Sequence, residues 1–444
     1  MNLVGKLFLK NSRSGFLASI QTLLTNVLML AVNIVTGVVT ARLLGPHDKG
    51  VQAAIVLWPG LLMSLAAIGL PAALLYHSKL TGELSKALLS AAVTLGLIAG
   101  AIGSVIGILM VPIWLANYSP VTIHITQLYM LVVPVAVVTN ILATIAQANH
   151  DFQTYNAFRL SQPLITLVLL VLMALSHTLT PSTAAFAFLC PSLFALVWLW
   201  LRLRSSYPFS LAQFGQVYKR LLSYGFRYYS GDVLMVASSQ LDKIVIVTLL
   251  NPASMGIYTV AYSLAGMLGV FGAAVNSVIL PKMIDLPLPE VRLLLGRSVR
   301  INTVVSLCAA GVLVLLGPFL INLFYGNAYQ GAIIVFFILA ANAVIEGLAY
   351  MLAQVFYAVG KPELMMFRQI ASLAIMIPGM FILGSRFGII GVASVSLLES
   401  VFMVIITMSA FPSILKIRPP SLWAPREDLA YVLGLWREWR RANA

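Results

Sequence analysis

Four carboxylates and one lysine lie inside long apolar runs, and these are the residues of the chain with the clearest chemistry. Asp232, Asp242 and Lys243 share one run with Tyr224, Tyr228 and Ser239. At about 100° per residue, all six fall within an arc of roughly 100° on a helix. Glu346 sits mid-run, with Asn342, Tyr350 and Tyr357 close to its face, and Glu399 sits in the middle of a later run. A charge at the centre of a bilayer costs about 2.5–3.5 kcal/mol on insertion scales. Its retention points either to use or to an ion pair that braces two helices. A carboxylate so placed favours its neutral form unless it is paired, and such a group can carry a proton in each cycle of a transporter. Asp232, Asp242, Glu346 and Glu399 are therefore ion-coupling candidates, with a structural hydrogen bond as the competing role.

The elements that hold these residues follow from composition. The chain is 60% hydrophobic and 9% charged, whereas a soluble protein carries about 25% charged residues. So little polar surface excludes a soluble globular enzyme and implies an integral membrane protein. A net charge of +14 suggests nucleic acid as a partner, but the placement of the charges fits membrane topology instead. One crossing needs about 20 apolar residues. Twelve runs qualify: 16–41, 51–77, 87–112, 121–147, 155–177, 181–202, 222–250, 254–280, 298–323, 331–358, 363–385 and 388–413. The short alternating segments of a transmembrane barrel are absent, so the expected fold is all-α and polytopic. With both termini cytoplasmic, basic residues crowd the inner segments, and the outer loops carry only Arg42, Lys49 and Arg386.

The chain then divides into bundles at 1–204 and 221–415, a cytoplasmic linker at 205–220 and a tail at 416–444. In the tail, Leu429, Val432, Leu433, Trp436 and Trp439 alternate with Arg437, Arg440 and Arg441, as in a helix lying on the inner leaflet. Lys6, Lys10 and Arg13 precede a long apolar run that reads as a retained first span. Cys190 and Cys308 sit in apolar runs as inert thiols. The five histidines are scattered, none at metal-binding spacing, and nothing calls for a cofactor.

The chain writes one phrase twice. Leu43-Leu44-Gly45-Pro46-His47-Asp48-Lys49-Gly50 recurs as Leu249-Leu250-Asn251-Pro252-Ala253-Ser254-Met255-Gly256, close to half a chain length on. Leu70-Pro71 and Leu280-Pro281 keep nearly the same offset. Six spans separate the copies, so the halves run in the same direction, as parallel repeats about an axis along the membrane normal. The repeat pairs span one with span seven. Span one carries a neutral stripe, Asn26, Asn33, Thr36 and Thr40, within roughly an 80° arc. Together with Tyr228 and Ser239 these residues could line a shared central cavity, or they could be small polar residues packing helix on helix. Pro59, Pro134, Pro163, Pro191 and Pro378 interrupt spans two, four, five, six and eleven.

These residues carry a resemblance. "ARLLGPHDKGVQAAIV" at 41–56 resembles the first-loop signature of bacterial polysaccharide flippases of the Wzx (O-antigen) type, and "SSQLDKIVIVTLLNPASMGIYTVAYSL" at 238–264 resembles that of their second half. "YAVGKP" at 357–362 resembles a turn of the same group, within the multidrug/oligosaccharidyl-lipid/polysaccharide (MOP) exporter superfamily. The resemblance covers about residues 12–415. It implies two six-helix bundles around a central cavity in the inner membrane. It also implies movement of an undecaprenyl-diphosphate-linked oligosaccharide from the cytoplasmic to the periplasmic leaflet.

On that reading the partners are the lipid-linked oligosaccharide, membrane lipids and H+ or Na+, with a polysaccharide polymerase and chain-length machinery as further candidates. The hydroxyls and amides of span one suit sugar hydroxyls. Lys243, Arg227 and Arg159 would bind the diphosphate. The deep charges are mostly acidic, however, and that leaves open a multidrug cation antiporter of the same superfamily. A membrane polymerase or ligase is the third reading; the short outer loops and the lack of a catalytic cluster speak against it.

Overall fold

The computed structural model describes residues 3–81, 86–149, 151–204, 214–269, 283, 286–361 and 363–422. Every regular element among them is a helix. In chain order these are α1 (Leu3–Ala66), α2 (Leu70–Thr81), α3 (Lys86–Trp114), α4 (Pro120–Tyr129), α5 (Val132–Ala148), α6 (Phe152–Leu175), α7 (Pro181–Leu189), α8 (Pro191–Leu203), α9 (Phe214–Leu249) and α10 (Pro252–Gly266). They continue as α11 (Leu288–Leu320), a π turn at Ile321–Tyr325, a short 3-10 turn, α12 (Ala332–Ala358) and α13 (Glu363–Ser413). Two compact units divide the chain, Met1–Thr259 and Val260–Ala444.

Eight helical runs among the described residues are long and apolar enough to cross a bilayer, which makes this a multi-pass membrane protein. Two of the runs, Leu24–His77 and Glu363–Ser413, hold 54 and 51 residues, each enough for two crossings of about 20. Each long run is bent at a glycine, at Gly45 (φ 75°) and Gly388 (φ 59°). In place of the outer loops expected at 42–50 and 386–387 the chain makes a tight turn at a glycine, and a second helix starts directly after each. Glycine takes positive φ without a Cβ clash, and Pro46 tolerates the first turn of the helix that restarts. Proline breaks the chain elsewhere, as α7 gives way to α8 at Pro191. Pro59, Pro163 and Pro378 stay inside their helices.

In the first unit α1 packs on α3, α6, α7 and α9, while α5 packs on α3 and α8. In the second, α12 is the central element and packs on α11 and α13. Its buried Met351, Leu352, Val355 and Phe356 meet Val291, Leu295, Val299 and Phe411. Leu97, Ile98, Ile102, Val105, Leu109 and Ile113 of α3 stay exposed. An apolar stripe of this kind suits lipid tails.

The twice-written phrase marks a helix crossing. A Cβ added to Gly50 would strike the carbonyl oxygen of Pro252, and one added to Gly256 would strike that of Pro46 and stand 3.1 Å from the Gly50 nitrogen. Each copy's glycine thus seats on the other copy's proline. Small residues let helix backbones approach closely in lipid, where the hydrophobic effect does not drive association. Gly50→Ala or Gly256→Ala should force the helices apart at about 1–3 kcal/mol. A lower thermal midpoint of the detergent-purified protein is expected, and an unchanged one would show that the crossing carries no stability.

Asp151 caps α6. Its carboxylate accepts from the Thr154 amide at 3.0 Å and from the Thr154 hydroxyl at 2.6 Å. Arg202 Nε donates to the same hydroxyl at 2.8 Å. The bonds from Thr154, helped by Arg202, hold the Asp151 carboxyl below its ordinary range. A depressed carboxylate contributes stability above its unfolded pKa and loses it as pH falls through the folded value. Asp151→Ala should cost about 1 kcal/mol at neutral pH and flatten the acid side of the thermal-midpoint profile. A variant whose thermal midpoint falls as steeply with acid as that of the unsubstituted protein would contradict this.

Candidate functional site

The Asp242–Lys243 pair sits on α9, and its two members point to different surroundings. Successive helical residues are about 100° apart. Asp242 is buried, accepts from the Tyr258 hydroxyl at 2.7 Å and from the Lys243 amide at 2.8 Å, and so ties α9 to α10. Lys243 lines a cavity of about 410 Å³ and donates to Gln240 Oε1 at 3.0 Å. The two side chains also attract each other electrostatically. Ser239 lines the same cavity and donates to its own helix at Val236.

A second lysine lines this cavity. Lys49 is 8% exposed and donates to Thr40 Oγ1 at 2.8 Å and to Gln52 Oε1 at 2.9 Å. Its ammonium stands 5.6 Å from the Phe188 ring centre. Sequence reasoning put Lys49 in an outer loop and missed it, because the kink at Gly45 restarts the helix before residue 49. Each lysine has a glutamine three residues away, Gln52 for Lys49 and Gln240 for Lys243, and that spacing was the available signal. A neighbouring cavity of about 380 Å³ holds Arg159 with Asn140, Gln162 and Ser192. The two cavities share Val56, Gly60 and Phe188 as walls. The first unit thus places three basic side chains along adjoining cavities, an arrangement that suits an anion.

The span-one stripe is placed otherwise. Thr36 and Thr40 are buried and donate to Val32 O and Thr36 O of their own helix at 2.8 and 2.9 Å. Asn26 and Asn33 are exposed. None of the four lines the cavities described. The side chains of Arg227, Tyr228 and Asp232 lie outside the described residues.

In the second unit Glu399 accepts from Ser372 Oγ at 2.5 Å. Ser400 donates to Asn342 Oδ1 at 2.8 Å, and Asn342 Nδ2 donates to Glu346 Oε2 at 3.3 Å. Arg368 is the electrostatic partner of both Glu399 and Glu346. Sequence reasoning set Arg368 at the inner rim and did not join it to these carboxylates, since three helix segments must meet for the network to form. Among the described residues no group of three His, Cys, Asp or Glu could hold a metal ion.

With this geometry in hand, the comparisons with known proteins place the chain. Its fold matches a structure titled "Lipid II flippase MurJ, inward closed conformation" at TM-score 0.75 and 14% identity, covering 91% of this chain and 88% of that one. It also matches an inward-facing multidrug resistance MATE family transporter of the MOP superfamily at TM-score 0.71 and 15% identity, covering 87% and 96%. A MOP superfamily transporter from Pyrococcus furiosus, titled for the reverse polarity of its binding pocket, matches at TM-score 0.57 and 13% identity, covering 90% and 95%. No curated protein sequence matches the chain. The fold is thus that of the MOP-superfamily transporters, and the matches described are to transporters rather than enzymes. Residues 39–334 match the family described as "Polysaccharide biosynthesis protein", and the chain belongs to that family.

The Tyr258–Asp242 bond is open to a direct test. Tyr258→Phe should leave a buried carboxylate short of one donor and cost about 1–3 kcal/mol. The double variant with Asp242→Asn should lose much less than the sum of the single losses, as coupled neighbours do. Strict additivity of the thermal midpoints would show that the two groups do not act together.

Proposed function

We propose that this protein flips a lipid-linked oligosaccharide, carried on undecaprenyl diphosphate, from the cytoplasmic to the periplasmic leaflet for surface polysaccharide synthesis. The observation that supports it most is the placement of Lys49, Lys243 and Arg159 on adjoining cavities, in a chain of the polysaccharide biosynthesis family. The two lysines and the arginine would hold the diphosphate, with Arg227 near the cytoplasmic entry. Arg stacks and forks on phosphate oxygens, while Lys acts as a mobile point charge. Twelve crossings in two six-helix bundles, 1–204 and 221–415, complete the proposed architecture, with linker 205–220 and tail 416–444 on the cytoplasmic side. Transport would proceed by alternating access, coupled to H+ or Na+. Of the carboxylates, Glu399 suits the coupling role best, since Arg368 and Ser372 beside it can stabilise its ionised form.

A second reading is a multidrug cation antiporter. Several of the similar solved structures are titled MATE transporters, two of them as multidrug resistance transporters, so the fold comparisons lean that way, and Glu346 and Glu399 would suit a cationic drug. The basic cavities of the first unit turn the choice toward an anionic substrate.

In a deletion strain the lipid-linked oligosaccharide should accumulate in the cytoplasmic leaflet. Lys49→Gln, Lys243→Gln and Arg159→Gln should each restore transport at least tenfold less well than the unsubstituted gene. Normal leaflet distribution in the deletion strain, together with raised accumulation of cationic dyes, would replace the flippase by the antiporter.

A further inference from the structure

A third cavity, of about 480 Å³, lies wholly within the second unit and has a different chemistry from the basic pair. Tyr262 and Gly266 of α10, Asn302 and Ser306 of α11, and Asn342, Glu346 and Tyr350 of α12 line it. Among the described residues that line it there is no lysine or arginine. Asn302 is 2% exposed, yet its Oδ1 has no hydrogen-bond partner. A buried amide oxygen left unmatched costs about 1–3 kcal/mol, and here it borders a cavity large enough to admit the missing donor. Asn342 and Glu346 are already joined at 3.3 Å, so the cavity presents an oriented amide–carboxylate pair. Tyr262 and Tyr350 are 40% and 45% exposed and offer both a ring face and a hydroxyl.

The lining decides the ligand class. An anion would meet the Glu346 carboxylate on the wall, and Arg368, which partners it, is shared with Glu399 and is not among the described lining residues. A bare cation is held by several oxygens at about 2.3–2.6 Å, and this space is many times the roughly 30 Å³ share of one water in the liquid. An organic cation would meet Glu346 and the tyrosine rings but leave the amides and hydroxyls of the wall unused; the group that uses all of them is neutral, of ring size, donates to a carboxylate and an amide oxygen, accepts from an amide and hydroxyls, and lays C–H bonds on an aromatic face. A sugar ring has all of these. Its hydroxyls both donate and accept, and its axial C–H groups suit the electron-rich face of tyrosine.

We propose that this cavity binds one uncharged pyranose ring of the transported oligosaccharide, with Asn302 and Glu346 taking its hydroxyl protons and Tyr350 its apolar face. The assignment rests on the flippase reading for its biological ligand, but the site is defined by its own residues and can be tested alone.

The test is saturation-transfer NMR on the full-length, detergent-purified protein with methyl glycosides of glucose, galactose, mannose, rhamnose and N-acetylglucosamine. At least one glycoside should receive saturation, and its signal should fall at least fivefold in Asn302→Ala and in Tyr350→Ala. Tyr350 is half-exposed, so its variant keeps the test valid should the Asn302 variant fail to fold. Absence of transfer to all five glycosides, or transfer that survives Y350A and a folded N302A unchanged, overturns the proposal. So does a rise in thermal midpoint on exchanging choline chloride for sodium chloride that N302A abolishes, with no glycoside signal, since that assigns the cavity to an ion. Glycoside binding in a protein whose deletion leaves lipid-linked oligosaccharide normally distributed removes the flippase reading and keeps the site. Lost flipping with no glycoside binding does the reverse.

Discussion

A polar group inside a bilayer has no water to satisfy it, and the interior of this protein is organised around that constraint. Many of the buried polar groups find partners in a few fixed ways, and Asn302 Oδ1 is an exception. Asp242 turns to Tyr258, Lys243 to Gln240, Lys49 to Thr40 and Gln52, and Glu399 to Ser372. Most hydroxyls of the helices donate back to a carbonyl one turn earlier, as Thr36 and Thr40 do. A polar stripe read from sequence therefore divides: Thr36 and Thr40 close on their own helix, Asn26 and Asn33 stay exposed, and Ser239 closes on its helix while lining a cavity. A lysine with three protons can serve two neighbours and keep capacity for a ligand.

The same constraint shapes the backbone. A long loop would leave amides and carbonyls without partners, and the chain keeps two of its turns to a single glycine each. Gly45 and Gly388 each join two helices with no loop between them. The first of these bends carries Lys49 inward from what would have been the membrane surface. It also brings Gly50 onto Pro252 and Gly256 onto Pro46. The repeated phrase thus does more than mark register, since its two copies touch within the first unit. Internal duplication supplied two like surfaces, and each glycine leaves the space that the other copy's proline fills.

Charge is divided between the two units. The first holds three cations on adjoining cavities, while the second joins two carboxylates to one arginine and has a third cavity with no basic residue among its described lining. The fold resemblance to solved transporters alone would not reveal this difference. The likeness to both a lipid II flippase and multidrug transporters at 14–15% identity shows how one scaffold serves different substrates.

The sequence by itself determined the solvent and most of the architecture. Its apolar runs and sparse charge require a helical membrane protein, and the doubled phrase marks two segments that meet in the fold. Its deep carboxylates, together with Lys243, stand out because insertion of a charge is costly wherever the helix packs. Only the tertiary structure decided which of those groups meet. Lys49 read as a loop residue and Asn302 drew no notice, because local pattern says little of their surroundings. Gln52, three residues on, was the one nearby sign for Lys49, and its other partner, Thr40, lies across the turn at Gly45. Burial depends on which helix lies opposite, and that is a property of the packed unit rather than of any local pattern.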